Sequence, residues 1–253
     1  MKYKDMLKNR MRTLAPVALM AALLAGVSPF VSCDNRNIHQ VVKEMAAAPV
    51  DTVGWPGRSL QTNSFSSVDI DCFADVTYHQ TEAGTDPYVE LKAPGKVLEN
   101  VNLSIEDEEL KVSVDRRYKM PEKAIVVVNI YAPFVNRFIL DGGKCLRLGK
   151  VDLTAPLELK VDGNVGTLIG DTLKAHEISL LLEGTGSYHL KGIQTGMLRA
   201  KLEGNGSIIL EGKCTQSKMT VNGDGKIDIA GLRSDSVGIH QVKGKGEIVT
   251  HVK

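Results

Sequence analysis

The sequence from residue 140 onward repeats one short pattern six times. Each unit has an apolar, strand-like segment, a glycine and a second strand-like segment, as in the stretches that begin at Leu140, Val161 and Leu182. The first glycines of the units are almost evenly spaced along the chain, and they are Gly142, Gly163, Gly184, Gly204, Gly223 and Gly244. Strand-like repeats with a period near twenty are typical of a solenoid, in which successive turns stack on one another and share a core.

The columns of the repeat show which side chains face this core. The residue two positions before each glycine is apolar in all six units, and the column consists of Leu140, Val161, Leu182, Leu202, Val221 and Val242. The positions between the apolar columns are mostly polar, as inside/outside alternation along a strand requires. We expect this column to point inward, with Leu202 in the middle of the stack.

These patterns predict an all-β protein whose segment 141–253 forms a single-stranded parallel β-helix, with one turn for each unit of the repeat. Aromatic residues make up only 5% of the chain, and a thin aliphatic interior suits a solenoid. No 3.6-residue apolar period is found between residues 64 and 253. The alternative is that the glycine-containing segments are hairpins of an antiparallel β-sandwich or meander.

The N-terminal residues have the pattern of an export signal. Five basic residues precede an apolar run that begins at Leu14, and the run ends at Phe30-Val31-Ser32-Cys33, which resembles a bacterial lipobox. We therefore predict a lipoprotein signal peptide over residues 1–33, with Cys33 as the lipidated residue, a tether over 34–62 and a β-helix domain over 63–253. Cleavage nearby without lipidation and an uncleaved membrane anchor are the alternatives.

The order of sequence blocks in the domain resembles the GIN-domain family of adhesin head domains, which are common in lipoproteins of Bacteroides-like bacteria. The blocks are F-x-x-V-D-I-x-x-x-A-D-V from Phe65, V-x-I-Y-A-P from Val128 and the glycine-containing repeats. The first two repeats have LDGGK and VDGNV where the family usually has L-S-G-A-S. The resemblance implies a right-handed parallel β-helix at the cell envelope, a role in adhesion and no catalytic residues.

Charge and composition argue against several kinds of partner. The predicted signal peptide contains five of the 31 basic residues and one of the 30 acidic residues, so the remaining chain has a net charge of −3. It has no basic stripe with interleaved aromatic residues, which argues against nucleic acid as a partner. The six histidines show no metal-ligand spacing, so we expect neither a metal site nor a cofactor. We expect Cys72, Cys145 and Cys214 to be buried free thiols.

One column of the repeat is a candidate binding surface. The residue directly before each glycine is polar, and the first four are Asp141, Asp162, Glu183 and Glu203. Like charges on adjacent strands repel one another unless cations compensate them. We define the charged strip as these four carboxylates with Lys160 and Lys201. It is either a solvated outer face screened by the two lysines or a weak docking strip for divalent cations or polycations.

We therefore predict an exported, non-catalytic envelope protein. It would be held at the membrane by its N-terminal lipid, and it would present a β-helical surface to a glycan or protein partner of the envelope or of a host. The alternatives are a structural scaffold of the cell envelope and a polysaccharide-degrading β-helix enzyme. The short, uniform repeats leave no room for a catalytic cleft, which argues against the enzyme.

Overall fold

The computed structural model describes residues 49–163 and 166–250, with the side chains of residues 237–241 left aside. The predicted signal peptide and Cys33 lie outside the described residues. Fifteen strands and one short 3-10 helix (Gly95–Asn100) form the described part of the chain. The strands are β1 (Gly57–Gln61), β2 (Ser67–Asp71), β3 (Ala74–Gln80), β4 (Tyr88–Lys92), β5 (Val101–Glu106), β6 (Glu109–Val114), β7 (Val126–Ala132), β8 (Arg137–Asp141), β9 (Cys145–Asp152), β10 (Leu157–Gly163), β11 (Thr167–Gly184), β12 (Ser187–Gly204), β13 (Ser207–Asn222), β14 (Lys226–Lys243) and β15 (Glu247–Val249).

The structure is an all-β solenoid of about five turns with repeats of about 21 residues. Its long strands pair in parallel one repeat apart, so that Leu182 of β11 lies beside Leu202 of β12 and Val161 of β10. The prediction of a parallel stack is confirmed, and the hairpin alternative is wrong for the repeats. In the described residues no helix has the length and apolar character needed to cross a membrane.

Each long strand contributes to two faces of the solenoid. The segments that precede the repeat glycines form the front face, which comprises β5, β6, β2, β8, β10 and the second halves of β11 to β14. The segments that follow the glycines form the rear face, which comprises β1, β4, β7, β3, β9, the first halves of β11 to β14, and β15. The strands enclose one apolar core, because inward and outward side chains alternate within each straight segment; two consecutive outward residues, as at 171–172 and 176–177 of β11, mark the places where a long strand bends.

The predicted inward column is buried except in the last turn. Leu140, Val161, Leu182, Leu202 and Val221 each have 0% exposure. The prediction is wrong for Val242, which is 45% exposed. Val242 pairs with Val221 on one side, and among the described residues no further long strand pairs with it on the other.

The repeat glycines permit the close stacking of the corners. Gly204 has a φ of 126°, and a Cβ atom added there would lie 2.4 Å from the carbonyl oxygen of Gly184 in the turn below. The same carbonyl oxygen accepts a hydrogen bond of 3.0 Å from the N–H of Asn205. All six repeat glycines have a positive φ, and the four from Gly184 onward combine it with such an approach between turns, which only glycine permits.

The N-terminal end of the solenoid is built differently. Strands β6 and β7 form a rung that pairs in parallel with β2 and β3, although they follow these strands in sequence. Beyond this rung the pairing is antiparallel. On the front face β5 pairs with β6, and on the rear face β4 pairs with β7 and β1 pairs with β4. Residues 57–61 of the stretch predicted as a tether thus form the edge strand β1. Antiparallel pairing is confined to this end of the molecule and covers it.

A buried ion pair joins two rungs near this covered end. The side chain of Asp75 on β3 is only 4% exposed, and its carboxylate is bound by the ammonium of Lys144 at 3.4 Å and by the guanidinium of Arg147. Lys144 and Arg147 belong to the next rung, which begins at Gly142. The aspartate of the Ala74-Asp75-Val76 block therefore holds adjacent turns in register.

Candidate binding surfaces: a charged strip and an aromatic stack

The strand register brings the carboxylates of the charged strip into one column on the front face. Asp162 pairs with Asp141 on one side and with Glu183 on the other, and Glu183 pairs with Glu203. Since adjacent strands are about 4.8 Å apart, the strip crosses four neighbouring strands over about 15 Å. The column continues at its N-terminal end with Asp71 of β2, which pairs with Asp141. The repeat alone did not reveal Asp71, because β2 precedes the first repeat glycine.

The two lysines of the strip neutralise part of this charge. The ammonium of Lys160 lies 3.1 Å from the carboxylate of Asp162 and 2.7 Å from that of Glu183. The ammonium of Lys201 lies 2.7 Å from the carboxylate of Glu203. These side chains remain between 34% and 49% exposed, so the ion pairs are accessible to a partner and are screened by solvent. The interpretation that lysines compensate the carboxylates is confirmed for these three carboxylates.

Asp141 has a different environment from the other carboxylates. Ile139 stands two residues before it, at the position that lysine occupies in the rungs of Asp162 and Glu203. Partial desolvation and then the negative charges of Asp162 and Asp71 raise the pKa of Asp141, and the ammonium of Lys160 only partly offsets them. Its end of the strip therefore carries the least compensated negative charge.

Glu203 lies at the opposite end of the strip. The hydrogen bond from Lys201 and then the bond of 3.3 Å from the amide of Asn222 lower the pKa of Glu203. The strip thus has a gradient, from a carboxylate that resists ionisation at residue 141 to one that favours it at residue 203.

The described residues contain thiols, but these are not reactive. Burial raises the pKa of Cys72 to about 12 and that of Cys145 to about 11. A thiol with such a pKa is protonated at neutral pH and is a poor nucleophile. Cys145 and Cys214 are buried and all three cysteines are free, as predicted, whereas Cys72 is only partly buried.

Metal-binding groups and surface depressions are the other candidate sites in the described part of the chain. No group of three His, Cys, Asp or Glu side chains there is placed to hold a metal ion. Two surface depressions, one beside Val97 and Tyr118 and one beside Lys111 and Arg116, are open to solvent rather than enclosed. The segment around Asp224 forms a solenoid corner between β13 and β14.

An aromatic stack stands on the rear face. The ring of Tyr131 on β7 lies between those of Tyr88 on β4 and His79 on β3, with centroid separations of 4.4 and 4.6 Å. The three rings are almost parallel, with interplanar angles of 7° and 12°. Alternation in the sequence indicates that each of these residues points outward. Their proximity depends on the pairing of β4 with β7 and of β7 with β3, which no local pattern specifies.

The fold and these surfaces define a class of protein: a β-solenoid domain with flat, charged outer faces and a covered N-terminal end. The chain belongs to the GIN-domain family, whose model is described as "Putative auto-transporter adhesin, head GIN domain" and matches residues 64–253. The resemblance inferred from the sequence blocks is thereby confirmed. None of the curated proteins matches the sequence.

Solved structures share the fold. A "putative adhesin" from Parabacteroides distasonis is 15% identical, with 78% of this chain and 82% of that chain covered and a TM-score of 0.68. A "putative lipid binding protein" from the same species is 15% identical, with 80% and 99% covered and a TM-score of 0.61. A "putative adhesin" from Bacteroides fragilis is 18% identical, with 78% and 97% covered and a TM-score of 0.55. At these identities the likeness concerns the fold alone.

Proposed function

We propose that this protein is an exported, non-catalytic adhesin head, attached to the membrane through a lipid on Cys33, whose charged strip contacts a glycan or protein partner of the envelope or of a host. Membership of the GIN-domain family supports the adhesin-like role. The N-terminal sequence pattern supports export and lipidation.

The observation that carries this proposal is the regular arrangement of exposed charge on the front face. The carboxylates lie on successive strands, whereas Lys160 and Lys201 lie two strands apart with Leu181 between them, so the strip offers acceptors on every strand and donors on every second strand. Each exposed ion pair contributes at most about 1 kcal/mol. Strong attachment would therefore need several contacts at once, which an extended partner or a dense surface can supply.

Binding of the full chain to a glycan array and to a panel of immobilised extracellular proteins tests the proposal. The variant Lys160→Gln/Glu183→Gln/Lys201→Gln/Glu203→Gln removes two positive and two negative charges, and we expect it to weaken binding about tenfold or more. Each single substitution should weaken binding by less than about fivefold. Binding should also fall as salt is raised from about 0.15 M to 1 M, where the Debye length shrinks from about 8 to 3 Å.

A matched control neutralises two ion pairs on the rear face. The pairs are Lys174 with Asp152, at 3.2 Å, and Lys226 with Glu247, at 2.7 Å. Replacing all four by Gln or Asn leaves the net charge unchanged and should leave binding intact. Equal losses in the two quadruple variants would contradict a role for the strip, and a turnover signal lost through one carboxylate substitution would contradict a non-catalytic protein.

The anchoring part of the proposal has its own test. Cys33→Ala should leave the precursor unprocessed or release the protein from the membrane fraction. Metabolic labelling with a fatty acid, followed by fractionation, measures both effects. A variant that fractionates like the unchanged protein, together with a native N-terminus downstream of Asp34, would show that Cys33 is not lipidated.

A further inference from the structure

The aromatic stack on the rear face ends beside an open slot. The stack consists of Tyr88, Tyr131 and His79, and the ring of His79 is its last member. Tyr131 covers one face of this imidazole. Among the described residues no ring lies against its other face, which points along the stacking direction toward β9.

A glycine forms the floor of the slot. Tyr78 pairs with Leu148, so the residue that follows on β9, Gly149, lies beside His79. A Cβ atom added at Gly149 would meet no other atom within 4 Å, so the space above this backbone is open. Because the strands are about 4.8 Å apart and the stacked rings are 4.4 and 4.6 Å apart, this space is the next position of the stack.

The far wall of the slot is polar. Leu148 pairs with Gly170 and Lys150 with Thr172, which places the exposed residue Asp171 of β11 on the other side of Gly149. His79 and Asp171 thus stand two strands apart, a distance of about 9.6 Å between their backbones. That gap accommodates one saturated ring in van der Waals contact with the imidazole and leaves the carboxylate within reach of its substituents.

Hydrogen-bonding side chains follow the slot along one edge. Thr77 and Asn129 precede His79 and Tyr131 by two residues on β3 and β7, and therefore lie on the same outer face. Thr77 pairs with Asn129 on one side and with Arg147 of β9 on the other. All three are partly exposed. This row supplies both donors and acceptors about 7 Å from the ring row.

We propose that the slot bounded by His79, Gly149 and Asp171 is a subsite for one pyranose ring of a glycan. A pyranose presents a face of C–H groups whose partial positive charge suits the negative face of an aromatic ring. It also carries hydroxyl groups on its edge, which need donors and acceptors together, as Asp171, Thr77 and Asn129 offer; the guanidinium of Arg147 is held by Asp75. A flat aromatic ligand would use the ring but not these groups.

This inference extends the proposed function by naming the chemical class of one partner and a second surface. The slot lies on the rear face and the charged strip on the front face, so substitutions can affect the two surfaces separately. A single ring held in an open slot binds weakly, with a Kd of about 1 mM. Several slots on neighbouring molecules at a membrane would strengthen attachment to a polymeric glycan.

The test uses the full chain and simple glycosides as probes. Saturation-transfer NMR and chemical-shift titration with the methyl glycosides of glucose, galactose, mannose and N-acetylglucosamine should show binding of at least one of them. Gly149→Val fills the slot; its Cβ meets no other atom within 4 Å, and the position needs no positive φ. We expect it to weaken binding about tenfold.

His79 provides the second variant and its rescue. His79→Ala should weaken binding about tenfold, whereas His79→Phe, which keeps a ring face, should bind within about threefold of the unchanged protein. Circular dichroism and thermal unfolding of each variant verify that it is folded. Unchanged affinity in Gly149→Val, or no binding of any of the four probes, would overturn the proposal.

The outcomes also separate this inference from the adhesin proposal. If the charged-strip variant loses attachment while Gly149→Val keeps its glycoside affinity, the strip acts and the sugar subsite does not exist. If Gly149→Val loses glycoside binding while the strip variant keeps full attachment, the subsite exists and the strip is not the contact surface.

Discussion

The two ends of the solenoid differ in how their last core residues are covered. At the N-terminal end antiparallel strands close the stack, with β5 on the front face and β4 and β1 on the rear face. At the C-terminal end of the described residues the last long strand, β14, pairs with the three-residue strand β15. There Val242 is 45% exposed although its column is otherwise buried.

The difference shows that position in the stack determines what a repeat residue contributes. Identical places in the repeat are buried in the middle of the molecule and half-exposed at the open end. The covered end also carries features that the uniform turns lack, namely the buried Asp75 ion pair and the aromatic stack. Covering strands therefore do more than shield the core, because they bring side chains together from distant parts of the chain.

The largest expected effect is on the free energy of unfolding, and it differs between the middle of the stack and its open end. Leu202→Asp places a charge among fully buried side chains and should lower the free energy of unfolding by at least about 3 kcal/mol. Val242→Asp changes the same column in the last turn and should cost less than about 1 kcal/mol. Chemical denaturation measures both values. Similar losses for the two variants would show that the final turn is covered in solution.

A second comparison concerns the corner glycines. Gly204→Ala places a methyl group against the carbonyl of Gly184 and requires a φ of 126°, so it should cost about 2 kcal/mol. Gly142 has a φ of 70° and open space around it, so Gly142→Ala should cost about 1 kcal/mol. Thermal unfolding of the two variants tests this order. The reverse order would mean that the close approach between corners relaxes without cost.

The buried ion pair of the covered end provides a third test. Asp75→Asn removes the charge that faces Lys144 and Arg147 and should cost about 1.5 kcal/mol, because two partly buried cations lose their partner. Its control is Asp152→Asn, which breaks the exposed pair with Lys174 and should cost less than about 0.5 kcal/mol. Denaturant titrations at neutral pH measure the free energy of unfolding of both variants. A neutral effect of Asp75→Asn would show that the pair does not hold the rungs together.

The smallest expected effect is a contrast in pH dependence within the charged strip. The pKa of Asp141 is raised, so its ionised form opposes folding at neutral pH, and this opposition disappears as pH falls through the folded-state pKa. The pKa of Glu203 is lowered, so its ionised form stabilises the fold above its unfolded-state pKa, and this stabilisation is lost as pH falls through the folded-state pKa.

Carboxyl ¹³C NMR titration should therefore place Asp141 above and Glu203 below the usual values for their residue types. At neutral pH we expect Asp141→Asn to raise the free energy of unfolding slightly and Glu203→Gln to lower it slightly. Shifts of the same sign for both carboxyls would contradict the proposed gradient.

The repeat made most of the C-terminal stack predictable from the sequence. The period near twenty and the column of Leu182 and Leu202 predict parallel turns, because that register places the apolar column in the core. The neighbours of the charged strip follow from the same register, and so does the compensation by Lys160 and Lys201.

The covered end could not be predicted in the same way. The pairing of β6 with β2 and of β7 with β3 joins segments of different length and sequence, so no column of identical residue types marks it. The stack of Tyr88, Tyr131 and His79 depends on this pairing. The exposure of Val242 also has no local signal, since its own unit resembles the buried ones.

The insertion of β6 and β7 next to β2 and β3 has a consequence for the order in which the molecule assembles. Thr167 and Ser187, which pair in the uniform turns, are separated by a single repeat, whereas Ala74 pairs with Val126 and Asp75 with Cys145. Closing longer loops costs more entropy, and contacts between distant residues form more slowly. Strands β2 and β3 are synthesised before both of the rungs that flank them, β6 with β7 and β8 with β9, so they can pair only after those rungs are available. Strands β2 and β3 thus emerge early but acquire their second neighbours only when β8 and β9 are available, so the interval before Cys145 becomes available is a step that favours aggregation.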